Sequence, residues 1–248
     1  MKSRWKSALV GALALTLVPA VSGTVISGPV VIAPVVSNSG SLNSWFLLQR
    51  AHAESEVFNP FDALEKLPVK GRAPKTGYSR NQFGSQWTDT DRNGCDTRND
   101  ILKRDLSAVV FKERTRNCVV ETGVLNDPYS GQTIAFQRGE KTSALIQIDH
   151  VVALSNAWQT GIFQSTVKVR TNFANDPLNL MAVKGSLNSQ KGDGDAATWL
   201  PPNKAFRCAY VSRQIQVKVK YGLWVTKAEK EAMVRVLQSP GCNTELVG

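Results

Sequence analysis

Ala144-Leu145-Ile146-Gln147-Ile148-Asp149-His150 is a short apolar run that ends on an acid and an imidazole. Its length and its isoleucines predict a strand that delivers Asp149 and His150 at its end. His150 is one of only two histidines, and the other, His52, lies in an N-terminal stretch that reads as an export segment. Further on come Asn179-Leu180-Met181-Ala182-Val183 and then Asn188-Ser189-Gln190-Lys191-Gly192-Asp193. Side-chain oxygens for a hard metal ion, beside a single proton acceptor, are what metal-assisted phosphodiester cleavage needs. Plainer readings stand next to that one. An Asp-His pair at a strand end is often a turn with a satisfied imidazole. Asn179, after Asp176-Pro177-Leu178, suits an Asx turn, and Asn188 suits a helix cap.

Working outward, Ile101, Leu102 and Leu106 fall at helical spacing and predict a helix over 100–106. Val109-Val110-Phe111 and Cys118-Val119-Val120 are β-rich. Asp127-Pro128-Tyr129-Ser130-Gly131 is a turn with proline at its second position, and Thr133-Ile134-Ala135-Phe136 is the strand that returns from it. On the C-terminal side, 155–160 reads as a helix, followed by a basic loop holding Lys168 and Arg170. Residues 203–221 read as another helix. Thr226 with Glu229 three residues later is a capping box that opens a last helix through Leu237. The sum is an α+β domain over 78–248. Residues 54–77, mixed in Pro, Lys and Gly, read as a linker with one short helix near 61–67.

A chain of 248 residues with 42% hydrophobic content holds one well-buried domain. Lys2, Arg4 and Lys6 precede an uncharged apolar stretch over 8–21, and Ala51-His52-Ala53 fits a small-x-small cleavage pattern. Residues 1–53 therefore read as a signal peptide, with an uncleaved membrane anchor as the other reading. Gly23, Gly28, Pro29 and Pro34 interrupt the segment and argue against a single spanning helix. The expectation is a secreted protein or, in the anchored reading, one held by its N-terminus on the outer face of the membrane. Cys95, Cys118, Cys208 and Cys242 all follow this segment, are even in number and lack Cys-x-x-Cys spacing, which suits disulfides in an oxidising compartment. Three pairings are open. Cys95–Cys118 with Cys208–Cys242 is favoured because each joins neighbouring segments. Residues 1–53 hold four basic residues and no acid, so 54–248 keep 26 basic residues against 20 acidic, a net +6. A modest positive field suits a polyanionic partner.

The order Asp149-His150, Asn179, Asn188, Lys191 resembles the HNH, or ββα-metal, nuclease motif. The nine positions from Asn179 to Asn188, and the lysine three further on, resemble the HNH domain of RNA-guided CRISPR nucleases. A wider span, about 78–242, resembles secreted actinobacterial HNH-family proteins. It includes Tyr78-Ser79-Arg80, Asn93-Gly94-Cys95-Asp96-Thr97-Arg98-Asn99-Asp100, Asp127-Pro128-Tyr129 and Asn175-Asp176-Pro177-Leu178-Asn179. The resemblance implies an α+β fold with an HNH core, added strands and C-terminal helices, stabilised by disulfides. It implies a metal-dependent endonuclease acting on DNA, with RNA as a second substrate. His150 then resembles the general base, Asp149 and Asn188 the metal ligands, and Asn179 the brace for the loop that holds the base. Lys191 resembles a phosphate contact. Two oxygen ligands favour Mg²⁺ or Mn²⁺ over Zn²⁺. One departure is the 29 positions from His150 to Asn179, longer than the hairpin of the smallest HNH motifs.

Other features carry paired readings. Arg98 is either a contact to the scissile phosphate or a salt-bridge partner of Asp96 or Asp100. Asp89-Thr90-Asp91-Arg92-Asn93-Gly94, with Asp100 at the twelfth position, resembles the start of an EF-hand loop but lacks its final glutamate. Trp87, Trp158, Trp199 and Trp224 read first as packing and second as stacking platforms for bases. Lys204, Arg207, Arg213, Lys218 and Lys220 form a phosphate track or a solvated helix face. Two rival functions follow: a non-catalytic cationic protein that binds nucleic acid or cell envelope through an inactive core, and a tethered structural envelope protein.

Overall fold

The computed structural model describes residues 58–140 and 142–242, and the expected export segment lies outside them. Among the described residues no helix is long and apolar enough to cross a membrane. The first helix, α1 (Pro60–Lys66), starts where Asn59 accepts hydrogen bonds from the amides of Phe61 and Asp62, with proline at the first helical position. It buries Leu64, and Leu67 follows it into the core beside Tyr210, Ile215 and Met233. The described part of the expected linker therefore belongs to the folded body. Residues 68–77 form a strap. The Lys70 amide donates to the Val225 carbonyl at 3.0 Å and the Ala73 amide to the Gln159 carbonyl at 2.8 Å. Arg72 pairs with Asp195 and Lys75 with Asp193, each at 2.6 Å.

Helix α2 (Thr97–Asp105) is capped by Asp96, whose carboxylate accepts from the Asn99 amide. It runs directly into β1 (Leu106–Phe111), which pairs with β2 (Val120–Asn126), itself paired with β3 (Thr133–Gln137), in one antiparallel sheet. The Cys95–Cys118 disulfide ties the segment before α2 to the approach of β2. The expected turn forms between β2 and β3, closed by the Gly131 amide on the Asp127 carbonyl at 2.8 Å.

The second sheet is a pair of strands, β4 (Ile146–His150) and β5 (Leu180–Lys184), antiparallel, with His150 opposite Leu180 and Asp149 opposite Met181. Ile146, Ile148, Leu180 and Ala182 face one core cluster with Ile101 and Phe136, while Met181 and Val183 face another with Tyr210 and Met233. Burial on both faces explains why these strands read as near-continuous apolar runs. Helix α5 (Gly185–Lys191) begins directly after the last residue of β5. A Cβ on Gly185 would collide with the Ala144 carbonyl, so glycine permits this close approach of the helix to the turn that leads into β4. The result is a β-β-α unit.

Between β4 and β5 lie α3 (Leu154–Gln159) and α4 (Val167–Ala174). The expected basic loop is thus a helix, and only Lys168 of its two cations is solvent-facing. Arg170 is buried: it donates to the Gln82 carbonyl at 2.7 Å and to the Ser165 carbonyl, and its guanidinium lies 5.7 Å from the Trp158 ring centre. Helices α6 (Arg207–Lys220) and α7 (Lys227–Leu237) complete the body, with the Thr226–Glu229 capping box in place. Cys208–Cys242 joins the start of α6 to the residues after α7, so both disulfides form in the favoured pairing. The described residues form a mixed helix-and-sheet domain with two disulfides.

Candidate active site

Strand β4 carries Asp149 and His150 into the interior, where both are buried. The Asp149 carboxylate is held at both oxygens. Tyr129 donates its hydroxyl to Oδ2 at 2.5 Å, and Lys191 donates its ammonium to Oδ1 at 2.9 Å. Lys191 also reaches the His150 carbonyl at 2.7 Å. This corrects the expected phosphate contact: the Lys191 side chain is wholly buried, and its donors go to β4. Tyr129 comes from the turn after β2, which Asp127 fastens to β5 by accepting from the Lys184 amide at 2.9 Å. Burial and the Asp149 charge push the Tyr129 hydroxyl well above the usual phenol range, so it stays a donor.

His150 places Nε2 2.9 Å from the Ala174 carbonyl at the end of α4. A carbonyl only accepts, so Nε2 carries the proton and Nδ1 keeps the lone pair. Burial, with smaller contributions from the charges of Arg80 and Lys191, lowers the imidazole pKa to about 4 against the opposing effect of the Ala174 bond. The ring is neutral at physiological pH. The chain beyond it is braced by Asn179, which is fully buried. Its Oδ1 accepts from the Val152 amide at 2.9 Å and its Nδ2 donates to the Val152 and Phe173 carbonyls at 3.3 and 3.4 Å. The Val151 amide donates to the Asn179 carbonyl at 2.8 Å, fastening the same turn from the backbone.

Asn188, in the middle of α5, donates Nδ2 to Gln147 Oε1 at 2.9 Å, and its Oδ1 accepts no hydrogen bond among the described residues. Asp149, His150 and Asn188 line one cavity of about 280 Å³. A second cavity, about 560 Å³, opens on the other side of the imidazole and is lined by Asn81, Gln86, Trp87 and Asn175 among others. Arg80, His150 and Leu154 belong to both, so they form the wall between them. Arg80 is exposed and makes no ion pair or hydrogen bond among the described residues. It is the one Lys or Arg side chain among the described residues that lines either cavity. Its signal in the sequence was only its place in Tyr78-Ser79-Arg80, far from the core motif.

Arg98 is not brought to this site. Its guanidinium donates to the Ile146 carbonyl at 3.4 Å, at the far end of β4, and it lines neither cavity; no ion pair with Asp96 or Asp100 forms. The Asp89–Gly94 stretch closes on itself: Asp89 accepts from the Asn93 and Gly94 amides, and Asn93 Nδ2 bridges Asp91 and Asp100. Among the described residues no group of three or more His, Cys, Asp or Glu side chains is arranged to hold a metal ion. Within the basic face of α6, Lys218 is buried against Glu229 at 3.0 Å and Arg213 donates to the Leu178 carbonyl at 2.7 Å. Both are structural, which shortens the expected phosphate track. Trp158 and Trp224 are buried in packing, and Trp199 lies against Tyr129 at 5.1 Å between ring centres.

A β-β-α unit in a disulfide-bonded mixed domain thus buries an Asp-His pair beside an amide oxygen and an arginine that have no partner among the described residues. The chain belongs to the family of GmrSD restriction endonucleases, C-terminal domain, whose pattern matches residues 96–236. It is also similar to an uncharacterized secreted protein of Arthroderma benhamiae, 37% identical over 178 residues, which span 71% of this chain and 82% of that protein. No solved structure matches it.

Proposed function

We propose that this domain is a secreted, metal-dependent HNH endonuclease that hydrolyses phosphodiester bonds of DNA, and of RNA as a second substrate. Membership of a restriction-endonuclease domain family supports a nucleic-acid substrate. The observation that carries the mechanism is the Nε2 bond to Ala174, which leaves the lone pair on Nδ1 of a residue that lines both cavities. In the proposed reaction a water attacks phosphorus and gives its proton to Nδ1 of His150, while the 3′-oxygen leaves. Arg80 orients the phosphate and offsets its growing charge. Asn179 acts through His150, by holding the turn that follows it. Lys191 and Tyr129 act through Asp149, by fixing its carboxylate.

The donor set fits a hard divalent cation. Asp149 and Asn188 offer a carboxylate and an unpartnered amide oxygen on one cavity, a set suited to Mg²⁺ or Mn²⁺ with water completing the shell. When bound there, such an ion supplies charge stabilisation for the phosphoryl and leaving oxygens. Two carboxylates line this cavity, and each is already offset by a lysine, Asp149 by Lys191 and Asp193 by Lys75, so the substrate phosphate is needed to complete the charge of the site. The two disulfides and the secreted fungal relative support export through residues 1–53.

The test is incubation of the purified protein with plasmid and single-stranded DNA, in Mg²⁺, Mn²⁺ or chelator. Cleavage is expected with either metal and not with chelator. His150→Ala is expected to abolish it with the fold intact by circular dichroism. Full activity in His150→Ala sinks the mechanism.

A further inference from the structure

We propose that the 560 Å³ cavity beside His150 is a nucleobase subsite in which Trp87 stacks an unpaired base of a single-stranded substrate. This rests on the nuclease reading and adds the form of the substrate.

Trp87 differs from the other tryptophans of the folded body. Trp158 and Trp224 donate their indole N–H groups to the Thr76 and Gly71 carbonyls, and Trp199 packs edge-on against Tyr129 and Tyr210. Trp87 makes no indole hydrogen bond among the described residues. It is half-buried, packed on the cluster of Ile101 and Leu102, and it also lines the cavity. The core thus fixes the ring while part of it stays available, as a stacking platform requires. Its ring lies within 12° of the His150 plane, with centres 6.3 Å apart. A flat base entering the cavity can therefore be parallel to both rings at one tilt. Trp87 also holds a φ of +57° and Gly84 one of +79°, left-handed conformations that carry the chain round this wall.

The rest of the lining suits a nucleotide. The Asn81 and Gln86 amides make no side-chain hydrogen bond among the described residues, and both donate and accept, as the edge of a base requires. Arg80 stands on the wall shared with the cavity of Asp149 and Asn188. A base on Trp87 therefore puts its own phosphate beside Arg80 and His150. A base inside a duplex is already stacked and paired, so this subsite selects single strands or flipped nucleotides.

The test uses the full chain in chelator, with binding read by fluorescence anisotropy. The probes are a twelve-residue thymidine strand, a base-free sugar-phosphate strand of equal length, and a duplex. Trp87→Leu keeps apolar packing and removes the π-face, and Trp87→Phe restores one. Wild type is expected to prefer the strand that carries bases. Trp87→Leu should weaken that binding by about 5- to 150-fold, the range for one stacked base, and leave the base-free strand and the duplex unchanged. Trp87→Phe should recover most of the loss. The proposal is overturned if Trp87→Leu binds the thymidine strand as wild type does, loses all probes equally, or if wild type binds none of them. Cleavage by wild type with no effect of Trp87→Leu overturns stacking alone. Base-dependent binding through Trp87 without cleavage in Mg²⁺ or Mn²⁺ overturns the nuclease reading alone.

Discussion

The Ala174 carbonyl accepts a hydrogen bond from Nε2–H, so the lone pair of His150 sits on Nδ1 and the ring stays neutral down to about pH 4. The same burial has a thermodynamic consequence. Between about pH 6.5 and pH 4 the unfolded chain binds a proton that the folded one refuses. The stability associated with His150 is therefore complete above about pH 6.5 and is lost as pH falls through that window. The loss amounts to at most about 3 kcal/mol, from the difference between the two pKa values. Urea unfolding in chelator at about pH 7 and about pH 4 tests it, with His150→Gln as the non-titrating control. Wild type is expected to lose more stability than the variant on acidification. Equal losses would mean the imidazole is not held neutral by its surroundings. At this scale much of the site was legible. Asp149 and His150 stand out because a strand ends on them; the bracing by Asn179 was implied by the motif resemblance alone, since its own neighbours suited an Asx turn equally well. Arg98 and Lys191 were misplaced for one reason: a sequence shows that a residue is cationic, but its partner is set by which carbonyl or carboxylate the fold brings within reach.

Lys191 belongs to the scale of elements, because it is the contact by which α5 grips β4. It lies three residues after Asn188, so both project from neighbouring positions of one helix face. The spacing alone does not say which of them meets the cavity and which meets the strand. Here the amide oxygen is the open group, and the ammonium spans Asp149 Oδ1 and the His150 carbonyl. Lys191→Met leaves the Asp149 carboxylate buried with only Tyr129 as donor, and is expected to destabilise the fold by about 3–5 kcal/mol. The double variant Lys191→Met, Asp149→Asn should recover a large part of that loss in urea unfolding. A phosphate contact predicts the opposite: unchanged stability, with weakened substrate binding. Helix α4 shows where periodicity misleads. Val167 and Val169 are exposed while Arg170 is buried, so the apolar stripe that betrays a helix is absent. The capping box of α7 and the turn before β3 were readable because their geometry is local and their residue types are demanding.

The disulfides act on the whole molecule. Cys95–Cys118 and Cys208–Cys242 span 23 and 34 positions, and loop entropy assigns each about 3–4 kcal/mol. Their combined effect is comparable to the whole stability of an ordinary domain, about 5–15 kcal/mol. The second bridge also supports the site. Helix α6, which it ties to the end of α7, sends Tyr210 and Gln214 to the Val151 carbonyl at 3.5 and 3.2 Å, immediately after the imidazole. The fold is therefore expected to depend on an oxidising compartment. Urea unfolding with and without reductant measures that dependence. Reduction should lower the midpoint sharply, and the double variant Cys208→Ser, Cys242→Ser should lose about 3–4 kcal/mol while keeping Cys95–Cys118. The variant's loss should also appear as faster proteolysis of the turn after β4, because Val151 is the residue that α6 holds. Equal stability of reduced and oxidised protein would remove the need for an oxidising destination, and the case for export would then rest on residues 1–53 and the secreted relative.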